Sequence, residues 1–259
     1  MSGSPNVLTV VPCRTASERL PGKGVIPIHG IAAVERCLLN TRAIESSTLS
    51  VLATSTDPSD DVLEDHTLGG AVDLVRGSEE DVLERFLVAI DRHRPDLVIR
   101  ATGDCPVVSY ELADLLVEAH LDSGADVTVP GPGFPPGINS EVYTASALRR
   151  LRELAPATLH SEYLIFYFRN NPRHFRVHEL ELPDRFRRDW RLTLDEPSDL
   201  ELFELLFGTL DVGREPLSWN AIVDFFAEHP EATAINAENR LRYVHDAAFT
   251  ERLRAATTL

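Results

Sequence analysis

Cysteine is scarce: Cys13, Cys37 and Cys105 are the only three, and no two form a C-x-x-C pair. An odd count without metal-ligand spacing argues against a disulfide framework or a zinc site and fits a reducing compartment. Long apolar runs are also missing. None approaches the roughly 18 residues of a membrane span, and the N-terminus lacks a charged region followed by an apolar one. Positive charge is the third deficit, with 25 Lys and Arg against 41 Asp and Glu and a formal net charge of −16. Broad electrostatic attraction to nucleic acid or anionic lipid is therefore not expected. The composition points to a cytoplasmic protein in which any anionic ligand is held by a local device.

What is present is rhythm. Short β-branched runs at 7–11, 49–54, 71–75, 97–101 and 125–129 alternate with helical patterns around 31–45, 59–67, 80–93 and 110–122. Such alternation predicts a parallel-rich sheet covered on both faces, an α/β fold. The rhythm breaks after residue 130, where PGPGFPPGIN is too rich in proline for a central strand and reads as a substrate-facing loop. Helices near 145–154 and 159–170, strands near 175–181 and 190–194, and helices at 197–207, 217–228 and 237–256 follow. The whole of 1–259 reads as one domain, with 197–259 as C-terminal helices.

The first strand runs into CRTASERLPGKG, residues 13–24, which holds two arginines, a lysine and two glycines. A loop from a strand's carboxyl end into a helix is where backbone N–H groups gather around phosphate. Arg14, Arg19 and Lys23 stand there. A Walker A loop is excluded because Ser17 or Glu18 stands where its first glycine belongs and Gly24 where Ser or Thr is needed; G-x-G-x-x-G is absent too. Two carboxylates follow strands in the same manner: Asp104 after Arg100-Ala101-Thr102-Gly103, and Asp195 after Arg191-Leu192-Thr193-Leu194. Magnesium takes few protein carboxylates and completes its octahedron with waters and phosphate oxygens, so this pair suits a nucleotide-bound ion. Asp195 ahead of Glu-Pro also fits a helix N-cap, Asp199 fits helix-dipole chemistry, and Asp104 fits a turn.

Arg14-x-x-Ser17-x-Arg19-Leu20-Pro21-Gly22-Lys23 resembles the R-x-x-S-x-R-L-P-x-K signature of the cytidylyltransferases that activate sugar acids. The similarity extends to VLATSTDPSDD, RGSEEDVLERF, VIRATGDCPVV, INSEVYTASAL, RLTLDEPSDLELF and HPEATAIN, in that order along most of the chain. The resemblance is to the SpsF-like branch, similar to CMP-Kdo and CMP-acylneuraminate synthetases. It implies a Rossmann-like nucleotidyltransferase (GT-A-like) three-layer sandwich with a mostly parallel sheet. It implies transfer of CMP from CTP to a sugar acid or phosphonate with Mg²⁺ and release of pyrophosphate. Arg14, Ser17, Arg19 and Lys23 would then hold the triphosphate, Arg76, Gly77, Ser78, Thr102 and Gly103 would complete the nucleotide site, and Asp104 and Asp195 would carry the metal.

The acceptor is expected in 130–190. Asn139 stands where SpsF-like relatives tend to carry an aspartate, Glu141 follows it, and Arg185, Arg187, Arg188 and Arg191 could grip a carboxylate or phosphonate. Relatives often pair through the same region, and Phe166, Phe168, Phe175 and Phe186 read as exposed anchors of a homodimer. Glu162 departs from the related pattern and reads as an ordinary surface or capping residue, and the acids 79–81 read as a helix N-terminus. Two alternatives remain. A glycosyltransferase on a similar sheet would hold its metal with Asp-x-Asp, which occurs nowhere in the chain. A non-catalytic nucleotide-binding regulator would be favoured by missing metal carboxylates.

Overall fold

The computed structural model describes residues 4–17, 19–239 and 246–259. The first half holds β1 (Val7–Pro12), a small hairpin of β2 (Pro27–Ile28) and β3 (Ile31–Ala32), α1 (Ala33–Thr41), β4 (Leu49–Ser55), β5 (Asp73–Gly77), α2 (Val82–His93), β6 (Leu97–Arg100) and α3 (Tyr110–Ser123). The second holds β7 (Val127–Pro130), β8 (Glu141–Thr144), α4 (Ala145–Leu154), α5 (Ile165–Arg169), β9 (Val177–Leu180), α6 (Pro197–Leu210), α7 (Trp219–Glu228) and α8 (Ala247–Thr257). Helix boundaries follow local chemistry. Asp81 caps α2 by accepting the Glu84 N–H, Ser109 caps α3 through Leu112 N–H, and α3 stops at the left-handed Gly124.

Seven strands form one sheet in the order β5-β4-β1-β6-β8-β7-β9. Pairing is parallel except around β8, which is antiparallel to both β6 and β7. Alternation along β1 shows the two covered faces. Leu8 and Val10 pack with α2 and α4 side chains such as Phe86 and Leu148, whereas Val7 joins the cluster of α3, α6 and α7 and Val11 the cluster of α1. The result is the expected three-layer α/β arrangement. Among the described residues no helix is long and apolar enough to cross a membrane.

Several elements differ from the sequence reading. β8 was not anticipated, because EVYT is short and directly continues into α4. The stretch 190–194 is not a strand; Leu192 and Leu194 N–H groups donate to the carbonyls of Pro136 and Asp104, so the segment laces two loops together instead of joining the sheet. Residues 58–66 form a 3-10 helix, the 159–170 helix is broken into a 3-10 turn and α5, and of 237–256 only α8 is a helix, with 240–245 outside the described residues. Of the rings read as exposed dimer anchors, Phe168, Phe175 and Phe186 are buried in the chain's own core, and Phe166 is half-buried.

Candidate active site

The basic loop leaves β1 at Cys13 and is tied down at once. Asp60, on the 3-10 helix after β4, accepts the Thr15 N–H at 2.7 Å and the Thr15 hydroxyl at 2.8 Å, while Ser55 donates to its other oxygen at 2.5 Å. Burial would raise the Asp60 pKa, but these bonds outweigh it and hold the carboxyl below its ordinary value. Gly22, left-handed at φ +69°, donates to the Thr15 carbonyl and turns the loop back toward the sheet edge. Arg14 reaches Glu79 at 3.2 Å.

At the centre, the Lys23 ammonium bridges Asp104, past the end of β6, and Asp195, ahead of α6, at 2.6 Å from Asp104 Oδ2 and 2.8 Å from Asp195 Oδ1. Arg19 forms an ion pair with Asp195 Oδ1 at 3.0 Å, and Arg191 donates to Asp195 Oδ2 at 2.8 Å. Burial disfavours the ammonium, yet Asp104 and Asp195 together raise the Lys23 pKa above its ordinary value. Burial likewise works against the Asp195 carboxylate, and Lys23, Arg19 and Arg191 bring its pKa down. Asp199 is fully buried and accepts the N–H groups of Asp195 and Glu196 together with the Arg191 guanidinium, so it fixes the Asp195 backbone without facing the site. Helix α6 takes its N-cap from Glu196, so Asp195 is freed from that duty.

These groups open on a cavity of about 940 Å³ lined by Arg14, Ser17, Arg19, Lys23, Thr102, Asp104 and Asp195 at one end. Asn139 and Glu141 line it beyond β6, with Phe134, Tyr163 and Phe166. Other residues named from the sequence stand elsewhere. Arg76 turns away to Asp61 at 2.6 Å and Glu64 at 2.7 Å, stapling the 3-10 helix. Ser78 N–H donates to Glu84, and a Cβ on Gly77 would lie 2.3 Å from the same carboxylate. Gly103 packs on Cys13, where a Cβ would fall within 2.8 Å of its side chain. Arg191 is buried between Asp195 and Asp199 and does not line the cavity. Arg185 and Arg187 are exposed, the latter beside a separate surface recess with Arg188 and Trp190.

Three cavity groups escaped the sequence reading. Arg100 pairs with Glu141 at 3.2 Å and donates to the Glu162 carbonyl at 2.7 Å. Arg169 pairs with Glu179 at 2.8 Å, and Arg85 lines the cavity from α2. The signal for Arg85 was available: it falls on the apolar stripe formed by Val82, Phe86, Ala89 and Ile90, where a charged residue is out of pattern. The three thiols are buried, and burial, then Asp104, lifts Cys13 to about 12, so none is a nucleophile at neutral pH.

Among the described residues no cluster of three or more His, Cys, Asp or Glu side chains could hold a metal. Two carboxylates with phosphate and water oxygens in the other positions are what magnesium accepts. The donor set therefore fits an ion that arrives with a nucleotide and does not fit a resident zinc.

A family model described as cytidylyltransferase matches residues 8–228. The spore coat polysaccharide biosynthesis protein SpsF of Bacillus subtilis (strain 168) is 34% identical over 236 residues, 88% of this chain and 96% of its own length. A solved cytidylyltransferase from Leptospira borgpetersenii is similar with a TM-score of 0.78 at 23% identity, covering 92% of this chain and 98% of its own. CMP:2-keto-3-deoxy-manno-octonic acid synthetase complexed with CTP gives 0.62 at 15% identity, covering 79% and 99%. At such identities the two solved structures speak to the fold.

Proposed function

The chain belongs to the cytidylyltransferase family, and from that premise we propose that it transfers CMP from CTP to a small acidic acceptor, with Mg²⁺, releasing pyrophosphate. The observation that carries this reading is the convergence of Lys23, Asp104 and Asp195 at the mouth of the cavity, under a loop that also presents Arg14 and Arg19. An acceptor oxygen attacks the α-phosphorus, and where it is a hydroxyl its proton passes to solvent. A P–O bond forms, the bond to the bridging oxygen breaks, and its electron pair leaves with pyrophosphate.

No covalent intermediate on the protein is needed, so the residues act by placement and charge. Arg14, Arg19 and Lys23 supply local positive charge to a triphosphate that the net charge of −16 opposes. Asp104 and Asp195 would hold the magnesium, which supplies charge neutralisation at the phosphates when bound. Arg191 and Asp199 keep Asp195 in place. Lys23 now occupies both carboxylates, so loading the site requires it to exchange them for phosphate oxygens. Ser17 and Thr102 line the same cavity and offer hydroxyl groups to the nucleotide.

The acceptor belongs in the half lined by Asn139, Glu141, Phe134, Tyr163 and Phe166. Arg100 and Arg169, paired there with Glu141 and Glu179, are the cations toward which an acid would turn. A sugar acid of the 2-keto type is the first candidate and a phosphonate the second. Pyrophosphate release measured for each nucleoside triphosphate with Mg²⁺ against a panel of sugar acids and phosphonates tests the reading. CTP with one acid should far exceed the other combinations. Equal turnover of all four nucleotides, or none with any acid, overturns it.

A further inference from the structure

The stretch RGSEEDVLERF was expected to meet the nucleotide through Arg76, Gly77 and Ser78, yet those residues lie outside the cavity and its later arginine lines it. Arg85 is only 2% exposed. Its Nη1 donates to the Ala53 carbonyl at 3.2 Å, and its buried Nε has no hydrogen-bond partner. No carboxylate of the described residues forms an ion pair with it. Asp60 is engaged by Thr15 and Ser55, and Glu84 by the Ser78 N–H. Burial, and then the like charge of Arg14, draw the Arg85 pKa down to about 10.

Arg36 Nε and Arg191 Nη1 also lack a hydrogen-bond partner, but both groups lie outside the cavity. Arg191 has two aspartates. Arg36 donates to the carbonyls of Gly213, Ile28 and His29 and lies over the Phe207 ring at 4.1 Å, away from the cavity. Arg85 alone of these three combines burial, an unpartnered N–H and a place in the cavity wall beside Cys13 and Arg14. Taking a cation out of water without an anion is costly, and a docked anion recovers the cost. A neutral base carbonyl offers one acceptor and no charge. A phosphate offers charge and paired oxygens that match the guanidinium fork.

We propose that Arg85 is a phosphate-gripping residue of the nucleotide site, acting with Arg14 on the triphosphate; this rests on the CTP reading above. The bare fold gains little from the charge, and the liganded one depends on it. Calorimetric titration and thermal unfolding of wild type, Arg85→Met and Arg85→Lys, with CTP, inorganic triphosphate and cytidine as separate probes and Mg²⁺ present, test this. Arg85→Met should weaken CTP and triphosphate by about 10- to 100-fold, the scale of a lost charged hydrogen bond, and leave cytidine unchanged. Its melting temperature should stay level or rise, and Arg85→Lys should fall between. CTP affinity within two-fold of wild type in Arg85→Met overturns the proposal. A variant that fails to fold, or that loses CTP and cytidine in equal proportion, makes Arg85 a structural prop and overturns it too. Wild-type protein that binds neither CTP nor triphosphate would instead overturn the cytidylyltransferase reading itself.

Discussion

Lys23 is the residue through which the site can be interrogated most directly, because it joins both metal-ligand candidates. Asp104→Asn should lower transfer at least 100-fold while leaving the melting temperature within a few degrees, since Asp104 is partly exposed and its backbone contacts remain. Turnover near wild type at saturating Mg²⁺ would remove Asp104 from the metal site. The pair with Asp195 also makes a statement about pH. The Asp195 pKa is lowered in the fold, so its contribution is present above about pH 3.9 and is lost as pH falls through the folded value. The Lys23 pKa is raised, so its contribution is present below about pH 10.4 and is lost as pH rises through the folded value. Between roughly pH 5 and 10 the pair contributes a constant amount. In Lys23→Met this contribution is gone while Arg19 and Arg191 still pair with Asp195, so the variant's melting temperature should lie below that of wild type by the same margin at about pH 6 and about pH 8, and the margin should narrow as pH rises above about 10, where wild type begins to lose the contribution. No margin at neutral pH would show that the contact carries no electrostatic coupling. Arg14 and Asp104 could be brought to the cavity by reading the sequence because each stands within a few residues of a strand's carboxyl end, at Pro12 and Arg100, whereas Lys23 stands eleven residues past β1 and Asp195 follows a segment that is not a strand, so their place rested on the motif and not on topology. Arg76 could not be placed by its strand end, because the same position allows a long side chain to turn either way, and Asp61 and Glu64 decide it.

The fold's alternation of strands and helices was readable at the level of elements wherever a β-branched run was bounded by loops. It failed at Glu141–Thr144, whose four residues pass straight into α4 capped by Thr144. It failed again at 190–194, where buried Leu192 and Leu194 imitate strand alternation while their hydrogen bonds go to loops. That lacing explains why the Pro-rich loop matters. The Leu194 N–H holds the Asp104 carbonyl at 2.9 Å and the Leu192 N–H holds the Pro136 carbonyl at 2.7 Å, so one extended segment sets the spacing of both aspartates and of the Pro-rich loop. Gly137 is the pivot, with φ +104° and a Cβ position only 1.8 Å from the Leu192 carbonyl oxygen. Gly137→Ala therefore forces the two segments apart and should cost about 2 kcal/mol or more, with transfer lowered further than stability because Asp195 moves with the strap. Denaturant unfolding and turnover on the same sample check this. A neutral effect on both would show that the segment adapts without disturbing the site.

The charge distribution of the whole molecule sets a sign that no single residue shows. With 41 acidic against 25 basic side chains, an anionic nucleotide approaches a repelling surface before it meets Arg14, Arg19 and Lys23. Repulsion between exposed charges is screened out beyond the Debye length, about 30 Å at 0.01 M salt and about 8 Å at 0.15 M, whereas contacts in a partly buried loop are screened much less. The two effects separate kinetically: long-range repulsion governs association, and short contacts govern dissociation. Raising salt from 0.01 to 0.15 M should therefore speed CTP association about two- to three-fold, opposite to the slowing seen when a basic surface steers an anion. Dissociation should change little over the same range. Stopped-flow measurement with a fluorescent cytidine triphosphate at fixed Mg²⁺ reads both rates. Association that slows with salt would mean that the loop's own field already reaches past the acidic surface, and that the basic loop attracts its ligand from a distance as well as holding it.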